Sequence, residues 1–300
     1  MAKSAQPVTA GVLPVDKPGG PTSHDVVASV RRALGTRQVG HTGTLDPFAS
    51  GLLLVCVGAA TRLAEYLTGL PKTYLATMRL GAATDTDDLT GDVISTSDDW
   101  RSVTREQVET ALKAQVGTIQ QLPPIFSAKK VAGERMYAAA RRGEEIERTP
   151  ATVTIYAVRL IRFDLPDVEF EVECGAGTYI RAIARDVGDA LGVGGHLRTL
   201  RRTRVGPHDV ARAVPLDALG DEERVAAAML SPMEAVAHMP RVPVDEAGVA
   251  ALRHGRAVPA SPDAPSGVPI ALASGAGELL AVGERDGDVV RPRKVFIQTA

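Results

Sequence analysis

The segment Gly40-His41-Thr42-Gly43-Thr44-Leu45-Asp46-Pro47-Phe48-Ala49-Ser50-Gly51 gathers a carboxylate, an imidazole and three glycines in one short stretch. A carboxylate there suits nucleophilic attack or proton transfer, provided rigid elements hold the loop at both ends. Pro47 biases Asp46 away from helical dihedrals. The alternative is an ordinary turn in which Asp46 caps nearby backbone amides. His41 is equally open, since a lone histidine is often structural or solvent-exposed.

The flanking sequence supplies the elements. Val26, Val27, Val30 and Leu34 recur at helical spacing, with Ser23 as a candidate N-cap and Gly35 as the stop. After the loop, the apolar run LLLVCVG has the length and branching of a buried strand. Alternation predicts further strands over 73–80, 152–163 and 168–174. Residues 104–115 open with a T-x-x-Q capping box and read as a helix. Such a mixture is α+β rather than regularly alternating βαβ units. From Pro240 onward, short apolar runs and spacers such as VPASPDAPSGVP replace helical periodicity, which predicts a small β-rich domain over 240–300 after a larger one over 1–239.

With 300 residues, 44% hydrophobic and 23% charged, the chain falls outside the disordered and fibrous classes. No apolar run is long enough to span a bilayer, and the N-terminus lacks the apolar core of a signal peptide, so a cytoplasmic location is expected. The two cysteines, Cys56 and Cys174, have no CxxC partner and read as small buried thiols; no metal site is expected. The loop Asp85-Thr86-Asp87-Asp88 resembles the start of an EF-hand, but Thr90 stands where that pattern needs glycine. It reads instead as a solvent-facing acidic loop or one that shapes a cleft. A net charge of −2 hides segregation. Basic residues concentrate at Lys129, Lys130, Arg135, Arg141 and Arg142, and again at Arg198, Arg201, Arg202 and Arg204. Such groups are either solvated faces or a local surface for phosphates.

A series of segments, in order, decides among these alternatives. GVLPVDKPGGPTSHDVV, GHTGTLDPFASGLL, KTYLATMRLGAATDTDDLTG, PPIFSAKKVAGERMYAAARRG, GTYIRAIARDVGDALG and GGHLRTLRRTRVG together resemble the TruB family of pseudouridine synthases from about residue 11 to residue 206. The resemblance implies a pseudouridine synthase fold: an α+β catalytic domain on a long, mixed, mostly antiparallel sheet, with an inserted RNA-gripping segment. Residues 240–300 sit where the family carries a PUA-like, or TruB-specific, RNA-binding β-domain.

By the same resemblance, Asp46 is the catalytic nucleophile, Arg181 the arginine that pairs with it, and Tyr74 the aromatic that stacks on the target base and helps remove its C5 proton. Tyr179 and Leu200 fall at base-contacting positions, and His41 at the T-loop contact. Lys130, Arg141, Arg142, Arg198, Arg201 and Arg202 become candidates for gripping the RNA backbone. The implied reaction converts uridine-55 in the tRNA T-loop to pseudouridine without a cofactor, after the base is flipped out of its stack. Attack at C1′, attack at C6 and a glycal route all remain open.

The implied partner is the tRNA T-arm, met by a monomer with no obligatory protein partner and no membrane. Two rivals differ in kind: an RNA-binding or tRNA-folding protein using the same cleft, and a guide-dependent enzyme acting on ribosomal RNA. Asp46, Tyr74 and Arg181 together speak against binding alone. The absence of long extensions and a basic tail favours a stand-alone enzyme.

Overall fold

Alternating residues between 72 and 80 form the strand Lys72–Leu80, whose Lys72, Tyr74, Ala76, Met78 and Leu80 all face inward. The computed structural model describes residues 10–125 and 148–297, and the backbone of two short strands, Lys130–Val131 and Glu134–Arg135. The chain forms two units: Met1–Leu45, Leu52–Thr68 and Gly206–Ala300 make the first, and Asp46–Gly51 with Gly69–Val205 the second.

In the second unit five strands lie side by side in the order Gly195–Val205, Lys72–Leu80, Asp167–Cys174, Ala151–Asp164, Gly117–Gln121, antiparallel throughout. Ser50 and Gly51 add a parallel pairing to Arg201 and Arg202. The sheet is therefore mixed and mostly antiparallel, as expected, within an α+β fold. The inward face carries Val168, Phe170, Val172, Leu197 and Leu200 beside the residues of the Lys72–Leu80 strand.

The helix Ile180–Ala190 buries Ile180, Ile183, Ala184 and Val187, together with Arg181. Its close approach to the sheet depends on Gly188, where an added Cβ would lie 2.3 Å from the Gly195 nitrogen. The helix Arg105–Lys113 opens with the capping box read from the sequence, Thr104 with Gln107.

In the first unit the helix Ser23–Leu34 ends at Gly35, which takes the left-handed conformation at φ 63°. Its cap differs from expectation. Thr22, not Ser23, forms the capping box with Asp25. Ser23 is buried, and its hydroxyl both donates to the Leu45 carbonyl at 3.1 Å and accepts the Leu45 N–H at 2.9 Å. The strand Gly11–Lys17 runs beside the apolar run of Ser50–Val57, over a core of Leu13, Val15, Val26, Val30, Leu53 and Val55. Cys56 and Cys174 are both buried free thiols.

Residues 240–297 carry a sheet in the order Arg241–Pro243, Pro269–Ala273, Leu279–Asp286, Val289–Val295, Val258–Pro259. Its apolar core includes Ile270, Leu272, Ala281 and Val290. A helix, Glu246–Arg253, also stands there, capped by Asp245 accepting from the Gly248 N–H at 2.8 Å. This helix departs from the expectation of little helical periodicity in the region.

Candidate active site

Asp46 belongs to the second unit, at the head of the short segment that leads to the Ser50 and Gly51 pairing. Gly51 is the residue that lets the segment lie so close. Its φ is 102°, and a Cβ there would fall 2.2 Å from the Arg202 carbonyl oxygen. The loop also holds itself, with the Ala49 N–H donating to the Asp46 carbonyl at 3.1 Å.

Arg181 meets Asp46 directly, its Nε lying 3.0 Å from Asp46 Oδ2. The arginine is buried at 5% side-chain exposure, whereas the Asp46 side chain keeps 35%. A buried guanidinium needs compensation, and here it comes from the acidic loop. Arg181 Nη1 lies 3.3 Å from Asp88 Oδ2 and donates to the Thr86 carbonyl at 2.9 Å. Asp88 is held in turn through Oδ1, which accepts from Thr86 Oγ1 at 2.8 Å, Thr90 N–H at 2.9 Å and Thr90 Oγ1 at 2.6 Å. One carboxylate thus anchors the guanidinium while another, half-open to solvent, shares it.

A second arginine repeats the pattern one turn along the helix. Arg185 Nη1 pairs with Asp87 Oδ2 at 2.9 Å, and its Nη2 donates to the Leu122 carbonyl at 3.0 Å. Asp87 takes φ 60°, a left-handed conformation that aspartate tolerates better than most residues. Burial pushes its carboxyl up, opposed by the charges of Arg185, Arg181 and Arg148. The acidic loop therefore shapes the site rather than facing solvent, and among the described residues no carboxylate, histidine or cysteine cluster could hold a metal ion.

Tyr74 is buried and sits opposite Arg202 in strand register. Burial pushes the phenol up from its ordinary value; the charge of Arg202 and a hydrogen bond from it pull the other way, and the charge of Asp46 adds to the rise. Tyr74 is accordingly a neutral phenol near neutral pH. Lys72, two residues back on the same face, is driven down to about 8 by burial first and by Arg202 second. Its Nζ donates to the Leu70 carbonyl at 2.7 Å. Leu200 is buried opposite Ala76, the inward residue next after Tyr74. Tyr179 is the N-cap residue of the helix that carries Arg181.

The remaining expected residues are spread out. His41 lies in the first unit, where its Nδ1 accepts the Gly43 N–H at 3.3 Å and its ring meets His24 edge-on at 5.6 Å. Arg198 is half-exposed and paired with Asp167, which also binds Arg79 at 3.0 Å. Arg201 is half-buried on the same strand, in register with Ser50. Arg202 corrects the expectation of a phosphate grip: at 2% exposure it is enclosed within the fold, where its guanidinium serves Tyr74. The side chains of Lys130, Arg141 and Arg142 lie outside the described residues.

Nothing in the sequence singles out Arg185 or Gln121, and Asp88 stands out only within the acidic loop that reads as solvent-facing or cleft-shaping. Gln121 is buried, and both ends of its carboxamide bond the Tyr179 backbone.

Two family models match the chain: a TruB family pseudouridylate synthase N-terminal domain over residues 31–180, and a tRNA pseudouridylate synthase B C-terminal domain over residues 181–237. The chain is 44% identical to the tRNA pseudouridine synthase B of Leifsonia xyli subsp. xyli (strain CTCB07), covering 95% of each sequence. It is 46% identical to that of Mycobacterium sp. (strain KMS), covering 92% of this chain and 93% of the relative. Among solved structures it resembles a chain of an H/ACA RNP bound to a substrate RNA containing 2′-deoxyuridine. The TM-score is 0.74 at 30% identity, with 96% of this chain and 85% of the other covered.

Proposed function

The chain belongs to the TruB family of pseudouridylate synthases, and from that premise we propose that it isomerises uridine-55 in the T-loop of tRNA to pseudouridine, with Asp46 as nucleophile and no cofactor. The observation that carries this reading is the pairing of Asp46 with Arg181 at 3.0 Å, backed by Asp88. A nearby guanidinium favours the anionic form of a carboxylate, which a nucleophile requires. The partial exposure of Asp46 leaves that anion open to a base entering from solvent.

The reaction breaks C1′–N1, turns the base and forms C1′–C5. The C5 proton leaves and N1 ends protonated, so no electrons are exchanged and no energy input is needed. Asp46 holds the fragments together by attack at C1′ or at C6, or assists departure through a glycal. Tyr74 stacks on the flipped base, an interaction worth roughly 1–3 kcal/mol against the few kcal/mol that flipping costs. As a neutral phenol it receives the C5 proton only as it passes on its own, and Arg202 supports the oxygen in that exchange. Tyr179 and Leu200 contact the base, His41 meets the T-loop, and Arg198 and Arg201, with Lys130, Arg141 and Arg142, grip phosphates.

Residues 240–300 act as a PUA-like RNA-binding domain beside a catalytic domain over 1–239. The chain works as a cytoplasmic monomer, without a guide RNA or protein partner; the higher identity to tRNA pseudouridine synthase B than to the RNP chain supports this. Among the described residues no helix is long and apolar enough to cross a membrane. Incubating the chain with an unmodified tRNA transcript, then mapping pseudouridine by nucleotide position, tests the proposal. One modified T-loop uridine is expected; modification elsewhere, or binding without modification, contradicts it.

A further inference from the structure

Gln121 ends the strand Gly117–Gln121 and is buried, at 1% exposure. Its Oε1 accepts the Tyr179 N–H at 2.8 Å, and its Nε2 donates to the Tyr179 carbonyl oxygen at 3.1 Å. One side chain thus pairs with both backbone groups of a single residue, much as a neighbouring antiparallel strand does.

The residue held in this way begins the helix Ile180–Ala190, and the Tyr179 side chain forms no cap bond to that helix. The first N–H groups of a helix have no partner within it, so its entry is fixed only by what the surroundings supply. Two residues on, the Arg181 Nε meets Asp46 at 3.0 Å. The adjacent Leu122 carbonyl receives Arg185 of the same helix at 3.0 Å. A strand end that reads as QQLPP in the sequence therefore grips the helix start two residues ahead of Arg181.

Packing alone does not require an amide there. A buried carboxamide is costly unless its groups are bonded, and a methionine of similar length would fill the space with no polar demand. We propose that Gln121 is a positioning residue for the isomerisation, fixing the Tyr179 peptide and through it the aim of the Tyr179 ring and the Arg181 guanidinium. This role rests on the function proposed above. Misplacement of a catalytic group by about 1 Å can cost about a hundredfold in rate, so a clamp of two hydrogen bonds is a sufficient lever.

Gln121→Met and Gln121→Glu separate positioning from packing. Gln121→Met keeps length and burial but loses both bonds. In single-turnover pseudouridine formation at saturating tRNA it should be slower by about a hundredfold, with tRNA affinity within about twofold of wild type.

Gln121→Glu is a conditional rescue. As a carboxylate it accepts from the Tyr179 N–H but faces the Tyr179 carbonyl with a lone pair; as a carboxylic acid it donates to that carbonyl and restores the clamp. Burial favours the acid and the Arg185 guanidinium, which binds Leu122, Asp87 and Asp186 nearby, favours the anion. Its rate relative to wild type should therefore recover as pH falls from about 8 toward 5.5, while Gln121→Met stays slow.

Equal rates for Gln121→Met and wild type overturn this role and leave the proposed function standing. So does a Gln121→Glu rate ratio that does not change with pH while both variants unfold at lower temperature, which marks packing alone. A wild-type chain that forms no pseudouridine overturns the proposed function and this role with it.

Discussion

Arg181 Nε lies 3.0 Å from Asp46 Oδ2 while its Nη1 reaches Asp88 Oδ2 at 3.3 Å, so a single buried guanidinium links an open carboxylate to an enclosed one. The two carboxylates are unequal. The Asp88 side chain is only 5% exposed and its second oxygen is occupied by three donors, whereas Asp46 retains 35%. Asp88 sets where the arginine stands, and Asp46 is the member of the trio able to reach a substrate.

Asp88→Asn should therefore act on rate rather than on binding. The amide keeps the size but removes the charge that anchors Arg181. Single-turnover pseudouridine formation should fall by more than about tenfold, with tRNA affinity changed by less than about twofold. Equal loss in both would mean that the acidic loop holds RNA instead.

Arg201 and Arg202 are neighbours in sequence with different surroundings. Replacing the half-buried Arg201 by alanine should lower the slope of log affinity against log salt by about 1, the signature of one lost phosphate contact. Arg202→Gln should leave that slope unchanged and slow the reaction, because its guanidinium faces Tyr74. Binding titrations at two salt concentrations, run beside rate measurements, distinguish the pair.

Gly51 and Gly177 provide an internal comparison for stability. Both have positive φ, 102° and 85°, but only at Gly51 does an added Cβ strike backbone, 2.2 Å from the Arg202 oxygen. Gly177→Ala should cost about 1–2 kcal/mol from its dihedral alone, and Gly51→Ala more than about 3 kcal/mol because the strand pairing must also move. Denaturant unfolding measures both; a smaller loss at Gly51 would show that the pairing with Arg202 is dispensable.

Lys72 gives a pH dependence with a definite sign. Its folded value is depressed to about 8, so between there and the unfolded value near about 10.4 the unfolded chain binds the extra proton. Stability conferred at this position should rise with pH across that window, and the cost of burying the charged amine is fully present below it. Lys72→Met removes this dependence: the variant should gain stability relative to wild type below pH about 8 and lose that advantage toward about 10. A stability difference that does not vary with pH across the window would mean that Lys72 is not held near its depressed value.

Local signals in the sequence translated well. The T-x-x-Q box at Thr104 and Gln107 formed as read because its partners are three residues apart and its chemistry is complete within one turn. Alternation at 73–80 likewise set which residues of that strand face inward. The failures concern partners far along the chain. Thr22 and Ser23 carry the same hydroxyl, and only the fold reveals that Ser23 turns inward to Leu45. Asp88 belongs to a loop that reads as either solvent-facing or cleft-shaping, and only its pairing with Arg181, distant in sequence, decides between the two. The helix Glu246–Arg253 spans only eight residues and contains Gly248, too short and too broken a pattern to stand out. The family resemblance names Asp46, Arg181 and Tyr74 as a set, and the fold brings Arg181 to Asp46, whereas the contacts made by Asp88 and Gln121 leave no local signal in the sequence.

The most direct measurement is single-turnover pseudouridine formation by wild type and Asp46→Asn on the same unmodified tRNA transcript, with no cofactor added and a chelator present. Loss of the nucleophile should slow the reaction by more than about a thousandfold, about 4 kcal/mol of barrier, while tRNA binding persists. An Asp46→Asn chain that still forms pseudouridine at a rate near wild type would contradict the assignment of Asp46 as the reacting carboxylate.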